Sequence, residues 1–262
     1  MMTSGVDHGL SIWPRAGGPG PANEPMKFVL VRGGWQGGWA WDGVATVLTS
    51  RGHQVLAPTL RGLEPGDVDR AGLTFTDLAN GLLEDILMQD LEGFVLVGHS
   101  GGGPVVQFVA DRLGHRVLRT VFMSAWVLED GESINDVRPP DSVAASRALA
   151  IRSHDNTVSM DPQQWLSAFM QDATPEQVEK FTPRLVPTPF GWFDQRIEIP
   201  RFFALRLPVS YLFLRHDKAV PKETFQRMAA RLHNPRIADC DGSHQAMLTR
   251  PEAVAEGLLS IS

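Results

Sequence analysis

The stretch FVLVGHSGGGPVVQFVA, residues 94–110, constrains this chain more than any other. It opens as a short, continuous apolar run, as a strand covered on both faces requires. It closes on PVVQFVA, whose apolar residues suit a buried helix. Between them lie Gly98, His99, Ser100, Gly101, Gly102 and Gly103. A serine inside G-x-S-x-G, after a strand and before a helix, sits on a sharp turn that lifts its hydroxyl above the sheet. The glycines meet the steric demand of that turn, and the helix start aims backbone N–H groups at any anion formed beside Ser100. A Gly-rich strand–helix turn carrying an incidental serine is the plainer alternative.

A serine needs a base before it becomes a good nucleophile. Of the eight histidines, His244 lies in DCDGSHQAM, just after the last apolar run. Asp217 follows the preceding run in YLFLRHDKAVP. Read alone, His244 is a surface histidine and Asp217 a turn residue. Read together, Ser100, Asp217 and His244 follow the chain order of a catalytic triad on this kind of turn. Each falls just past a strand, where parallel sheets gather their functional groups. Glu129 and Asp130, after the fourth run, are the alternative acids. Gly33 and Gly34 directly follow the first run, where a backbone N–H can join that of Gly101 in holding a developing oxyanion.

The surrounding pattern predicts an α/β fold. Strands are expected at 27–31, 53–57, 93–98, 118–123, 209–214 and 235–240. Helices are expected over 41–52, over 74–90 with Thr76 and Asp77 as caps, over 104–114, over 222–233 and from about 250. Alternation of strand and helix implies a parallel sheet with right-handed crossovers. It lapses over 127–204, which is rich in proline and tryptophan, lacks a clear strand and carries short helical pieces. We read this stretch as a helical cap inserted into a core formed by 26–126 and 205–262. Residues 1–25, dominated towards their end by Gly, Pro, Ala and Asn, read as a flexible leader with one anchoring contact at Trp13.

Composition narrows the function. The net charge is −6 without a basic run, which speaks against a nucleic-acid partner. No apolar run is long enough to cross a membrane. The single cysteine, Cys240, rules out an intrachain disulfide framework and fits a reducing, cytoplasmic compartment. The scattered histidines form no metal-ligand pattern, and no cofactor motif occurs. The oligomeric state is open, a homodimer included. The aromatics Trp35, Trp126, Trp165, Phe169, Phe190, Trp192 and Phe193 are expected to line an apolar pocket or to pack the cap.

Four segments, FVLVRGGWQGGWAWDGV, VGHSGGG, HDKAVPKETFQRMA and DGSHQAMLTRPEAVAEGLL, together resemble the α/β-hydrolase superfamily. More narrowly they resemble the branch of plant methyl-ester esterases, plant hydroxynitrile lyases and bacterial, pyrethroid-hydrolase-like esterases. The likeness covers about 27–127 and 205–262. It implies a mostly parallel six-stranded sheet flanked by helices, an inserted helical lid and no cofactor. It carries the nucleophile onto Ser100, the acid onto Asp217, the base onto His244 and the oxyanion donors onto Gly34 and Gly101. The chain departs from the branch twice. Arg32 replaces the common histidine after the first strand, and either a structural ion pair or a substrate carboxylate would explain it. Gly101 replaces a larger residue, which is expected to admit a bulkier acyl group. The implied activity is hydrolysis of a hydrophobic or aromatic ester or lactone through an acyl-enzyme. A C–C lyase is disfavoured because the lyases carry lysine where Gln245 follows His244, and threonine where Gly33 stands. A low-turnover binding protein and, more remotely, a cofactor-free oxygenase complete the alternatives.

Overall fold

Six strands form one sheet whose inner members are largely buried on both faces, as their apolar runs require, while the two edge strands are more exposed. The computed structural model describes residues 24–66 and 69–262. The leader expected over 1–25, with Trp13, therefore falls almost wholly outside the described residues. The strands are β1 (Lys27–Val31), β2 (Gln54–Leu56), β3 (Phe94–His99), β4 (Val117–Met123) and, after an insertion that holds two further short strands, β7 (Val209–Leu214) and β8 (Arg236–Cys240). All pair in parallel, in the order β2-β1-β3-β4-β7-β8. Alternate side chains divide the core. Val29 and Val31 face a cluster with α2 (Phe75–Met88) and α3 (Gly102–Leu113), whereas Phe28 and Leu30 face one with α1 (Asp42–Ser50) and the last helix, Pro251–Ile261.

The register sets the functional end of the sheet. Val31 pairs with Gly98, and His99 pairs with Met123, so the segments leaving β1, β3 and β4 emerge side by side. Leu214 pairs with Cys240, which places the loops carrying Asp217 and His244 next to each other. A backbone bond from His216 N–H to the Gly242 carbonyl, 3.0 Å, ties those loops together.

Two helix starts differ from expectation. The α2 cap is Thr74, not Thr76. Its hydroxyl accepts from Asp77 N–H while the Asp77 carboxylate accepts from Thr74 N–H, a reciprocal capping box. Thr76 lies inside the helix, and its N–H donates to Gln195 Oε1. Helix α3 begins at Gly102, two residues earlier than the apolar pattern suggests, because the glycine run already turns helically after the elbow.

The insertion between β4 and β7 contains α4 (Ile134–Val137), α5 (Pro140–Arg152), α6 (Pro162–Gln164), α7 (Pro175–Phe181) and α8 (Gly191–Asp194). It also holds two strands that its sequence does not announce, β5 (Thr157–Val158) and β6 (Thr188–Pro189), paired antiparallel. Residues Trp165–Phe169 continue from α6 as a π-helical turn. The core resumes with β7, α9 (Lys222–Ala230), β8, α10 (Ala246–Thr249) and α11 (Pro251–Ile261).

Candidate active site

Ser100 is built into strain. Its φ is +54°, a left-handed conformation unusual for a non-glycine residue. The neighbours fix it there. Ser100 N–H donates to the Met123 carbonyl at 3.3 Å, and the Ser100 carbonyl accepts from Gly103 N–H and Trp126 N–H at 3.2 and 3.1 Å. Gly98 is required beneath it, since a Cβ at that position would lie 2.6 Å from the Gly102 carbonyl oxygen. The loop after β4 is itself pinned. Tyr211 Oη donates to the Ala125 carbonyl and accepts from Ala125 N–H, while Gln107 Nε2 donates to the Leu128 carbonyl and its Oε1 accepts from Leu128 N–H. Burial holds the Tyr211 phenol well above its ordinary pKa, so it stays a donor.

His244 reaches the same cavity from the loop after β8. Its Nδ1 lies 2.6 Å from Asp217 Oδ2, and both side chains are nearly buried. An ionised carboxylate only accepts, so Nδ1 carries the proton and Nε2 is left free as an acceptor. The other Asp217 oxygen accepts from Ala219 N–H at 2.9 Å. Rings surround the imidazole: Phe225 stacks nearly parallel to it at 6.3 Å, Phe169 is edge-on at 4.9 Å, and His99 lies 4.5 Å away. Glu129 and Asp130 are exposed and stay apart from this group, and Asp130 instead accepts from Ile199 N–H.

Gly33 and Gly101 approach backbone to backbone, for a Cβ on Gly33 would stand 2.7 Å from Gly101 N. Gly34 and Gly101 both line the cavity, and neither N–H donates to a carbonyl among the described residues. The following N–H, of Trp35, is taken by Thr188 Oγ1 at 2.7 Å, and the Trp35 indole donates to the Val158 carbonyl. The β5–β6 pair thus anchors the loop after β1, a role that short polar residues do not signal in the sequence.

The cavity has a volume of about 490 Å³ and contains Ser100, Gly34, Gly101 and His244 in its wall. Trp35, Trp126, Phe169 and Phe193 line it as expected. Trp165, Trp192 and Phe190 do not. Trp165 is fully buried beside Phe169 and donates to Thr182 Oγ1. Trp192 is fully buried against Phe75 and packs beneath Gly101. Their size and flatness suit them to filling the seam between insertion and core, and nothing in the one-dimensional pattern separates that use from pocket lining. The expected opening of the pocket at Gly101 is likewise corrected: the space its side chain would take belongs to the Trp192 indole.

Among the described residues Arg32 forms no ion pair, and it is not part of the cavity wall. Its side chain is buried, with Nη1 against His99 Nδ1 and Nη2 donating to Gln245 Oε1 at 3.2 Å. Without a carboxylate to offset desolvation, its pKa falls to about 9. Gln245 is itself buried and turned to Arg32, away from the cavity.

A half-buried, cavity-lining serine in a strained strand–helix turn, a buried His–Asp pair and unpaired backbone amides on one cavity form a constellation suited to acyl transfer. The sequence pattern of the Alpha/beta hydrolase family matches residues 28–257. The chain belongs to that family. Among curated relatives, a carbendazim-hydrolysing esterase of Nocardioides is 36% identical over 123 residues, spanning 45% of this chain and about half, 51%, of that protein. The polyneuridine aldehyde esterase of Rauvolfia serpentina is 26% identical over 92% of this chain and 97% of its own length. Among solved structures, an extracellular alpha/beta-hydrolase from a Paenibacillus species superposes with a TM-score of 0.86 at 28% identity, covering 91% of this chain and 99% of that one. That protein is described as sharing structural and functional homology with tobacco Salicylic Acid Binding Protein 2. Among the described residues no helix is long and apolar enough to cross a membrane.

Proposed function

We propose that this hydrolase is a serine esterase acting on small hydrophobic or aromatic carboxylic esters, lactones among them, through an acyl-enzyme. One observation carries the reading: His244, paired with Asp217 at 2.6 Å, shares its cavity with a serine held at φ +54°. Ser100 Oγ attacks the ester carbonyl and passes its proton to His244 Nε2. Asp217 orients the ring through Nδ1 and stabilises the imidazolium. The Gly34 and Gly101 N–H groups hold the tetrahedral oxyanion. Collapse of that intermediate breaks the bond to the alkoxy oxygen, which leaves as the alcohol with the proton from His244. Water then attacks the acyl-enzyme, giving its proton to His244, and the acid departs as Ser100 regains a proton.

Trp35, Trp126, Phe169 and Phe193 supply the apolar wall that favours such substrates. The buried Gln245, spent on Arg32, offers no charge to a departing cyanide, which supports ester hydrolysis over carbon–carbon cleavage. The test compares the wild type and Ser100→Ala on 4-nitrophenyl esters and aryl lactones. Turnover is expected to vanish in the variant with the circular dichroism spectrum unchanged, and pre-steady-state release of 4-nitrophenol is expected to show a burst of one equivalent. Undiminished turnover by Ser100→Ala would overturn the assignment.

A further inference from the structure

Helix α5 presents one small-residue face to the cavity. Ser142, Ala145, Ser146 and Leu149 all line it, at the spacing of one helical stripe. An arginine stands at each end of that stripe in the same wall: Arg138 just before the helix and Arg152 on its last turn. Neither makes an ion pair among the described residues.

Arg138 is the more constrained of the two. Among the described residues its guanidinium donates to neutral acceptors alone: Asn135 Oδ1 at 3.2 Å, the Ser142 carbonyl at 3.4 Å and Ser146 Oγ at 2.9 Å. It lies 5.1 Å from the centre of the Phe193 ring, which also lines the cavity. Burial lowers its pKa from the usual arginine range, with no acid to counter the effect. Two neighbouring acids are committed elsewhere. Asp136 closes the Ser133 cap and binds Arg196, and Asp194 binds Arg147 and Asn135. One acid, Asp161, does share the cavity wall, but its Oδ1 caps the backbone N–H of Gln164. The wall therefore carries two cations, the exposed Arg152 and the half-buried Arg138 beside the Phe193 ring, against one anion.

A partly desolvated guanidinium, oriented by neutral partners and left without a carboxylate, is short of one anionic ligand. We propose that the substrate is an ester bearing a carboxylate remote from the scissile bond, and that Arg138, assisted by Arg152, binds that carboxylate. This deepens the esterase reading and rests on it. The carboxylate can belong to the acyl part, as in a dicarboxylic acid monoester, or to the alcohol part. The two sources are separable by substrate.

The experiment compares kcat/KM for mono-4-nitrophenyl glutarate with its neutral counterpart 4-nitrophenyl butyrate. A second pair, 4-butyryloxybenzoate and phenyl butyrate, carries the charge on the leaving group. In at least one pair the wild type is expected to favour the anionic ester by about tenfold to a hundredfold, the range of a charge-assisted hydrogen bond. That ratio is expected to fall to near one in Arg138→Gln, chiefly through KM, and to be partly retained in Arg138→Lys. A purely structural role for Arg138 would change both esters of a pair together and leave the ratio alone. Calorimetry of monobenzyl glutarate with Ser100→Ala, with and without Arg138→Gln, reads the same site without turnover. Weaker binding in the double variant is expected. Hydrolysis of neutral esters without any anionic preference in either pair, or calorimetric affinity indifferent to Arg138, would overturn this inference while leaving the esterase intact. Absence of all ester turnover would instead overturn the esterase reading, with calorimetry still deciding the carboxylate site.

Discussion

The indole of Trp192 fills the place of a side chain at residue 101. A Cβ built on Gly101 would stand 2.8 Å from Trp192 Nε1 and 3.3 Å from two further indole atoms. The indole is fully buried, so it has no solvent into which to swing. Gly101 is thus a packing partner of the insertion as well as a member of the turn that presents Ser100.

This makes position 101 intolerant of size. Gly101→Leu is expected to cost about 1–3 kcal/mol in stability, as overpacking does, measured by urea unfolding. Trp192→Ala alone leaves a void and is expected to cost about 3–5 kcal/mol. The double variant should be more stable than the sum of the single costs predicts, because the leucine enters the space the indole leaves. Strict additivity would show that the two positions do not compete for that space.

Asp217 and Glu129 should separate cleanly. Only Asp217 reaches His244, at 2.6 Å, while Glu129 is exposed. Asp217→Asn keeps the shape but can place an N–H opposite Nδ1, favouring the wrong tautomer. A loss in kcat of roughly 10⁴-fold is expected from that defect. Glu129→Gln should keep wild-type kcat on the same 4-nitrophenyl ester. The reverse pattern would move the acid to the loop after β4.

The end of α2 offers a stability test. Thr74 and Asp77 satisfy one another's backbone N–H groups, whereas the Thr76 side chain makes no such bond. Thr74→Ala is expected to cost about 1 kcal/mol, the usual loss of a helix cap. Thr76→Ala should cost clearly less. Thermal unfolding of the two variants side by side distinguishes them, and equal shifts would remove the capping box from the account.

That misplaced cap illustrates what the chain discloses about itself. Strand positions were legible because a strand buried on both faces must be continuously apolar, and β1 and β7 match their runs residue for residue. Ser100, Asp217 and His244 were legible because each follows such a run directly. The wall of the cavity was not. Helix α5 lines it with serine, alanine and a leucine, which carry too little hydrophobic contrast to mark a face. Trp165 and Trp192 carry strong contrast, but hydrophobicity alone does not tell a ring that fills a seam from one that borders a cavity. Arg32 was visible as an anomaly. Its partners, 67 and 213 residues away, depend on tertiary packing.

Arg32 also gives the molecule a definite response to alkali. In the folded chain burial lowers its pKa to about 9, while in the unfolded chain the guanidinium keeps its proton to much higher pH. Below pH 9 both states hold the proton, so Arg32 adds no slope and the full cost of burying its charge persists. Above about pH 9 the folded state releases the proton and the unfolded state retains it. Stability then rises with pH, because the unfolded state binds more protons. The buried Cys240 thiol acts in the opposite sense: its pKa is pushed up to about 11, so its ionisation in the unfolded chain erodes stability over the same interval. Cys240 is unchanged in Arg32→Met, and comparison of the two proteins isolates the arginine. Between pH 8 and 10.5 the wild type is expected to gain roughly 1–2 kcal/mol on Arg32→Met, within the limit of about 1.4 kcal/mol per pH unit for one proton. Urea unfolding across that interval provides the measurement. Parallel stability curves would mean that the buried guanidinium holds its proton throughout, and a falling difference would reverse the sign of its contribution.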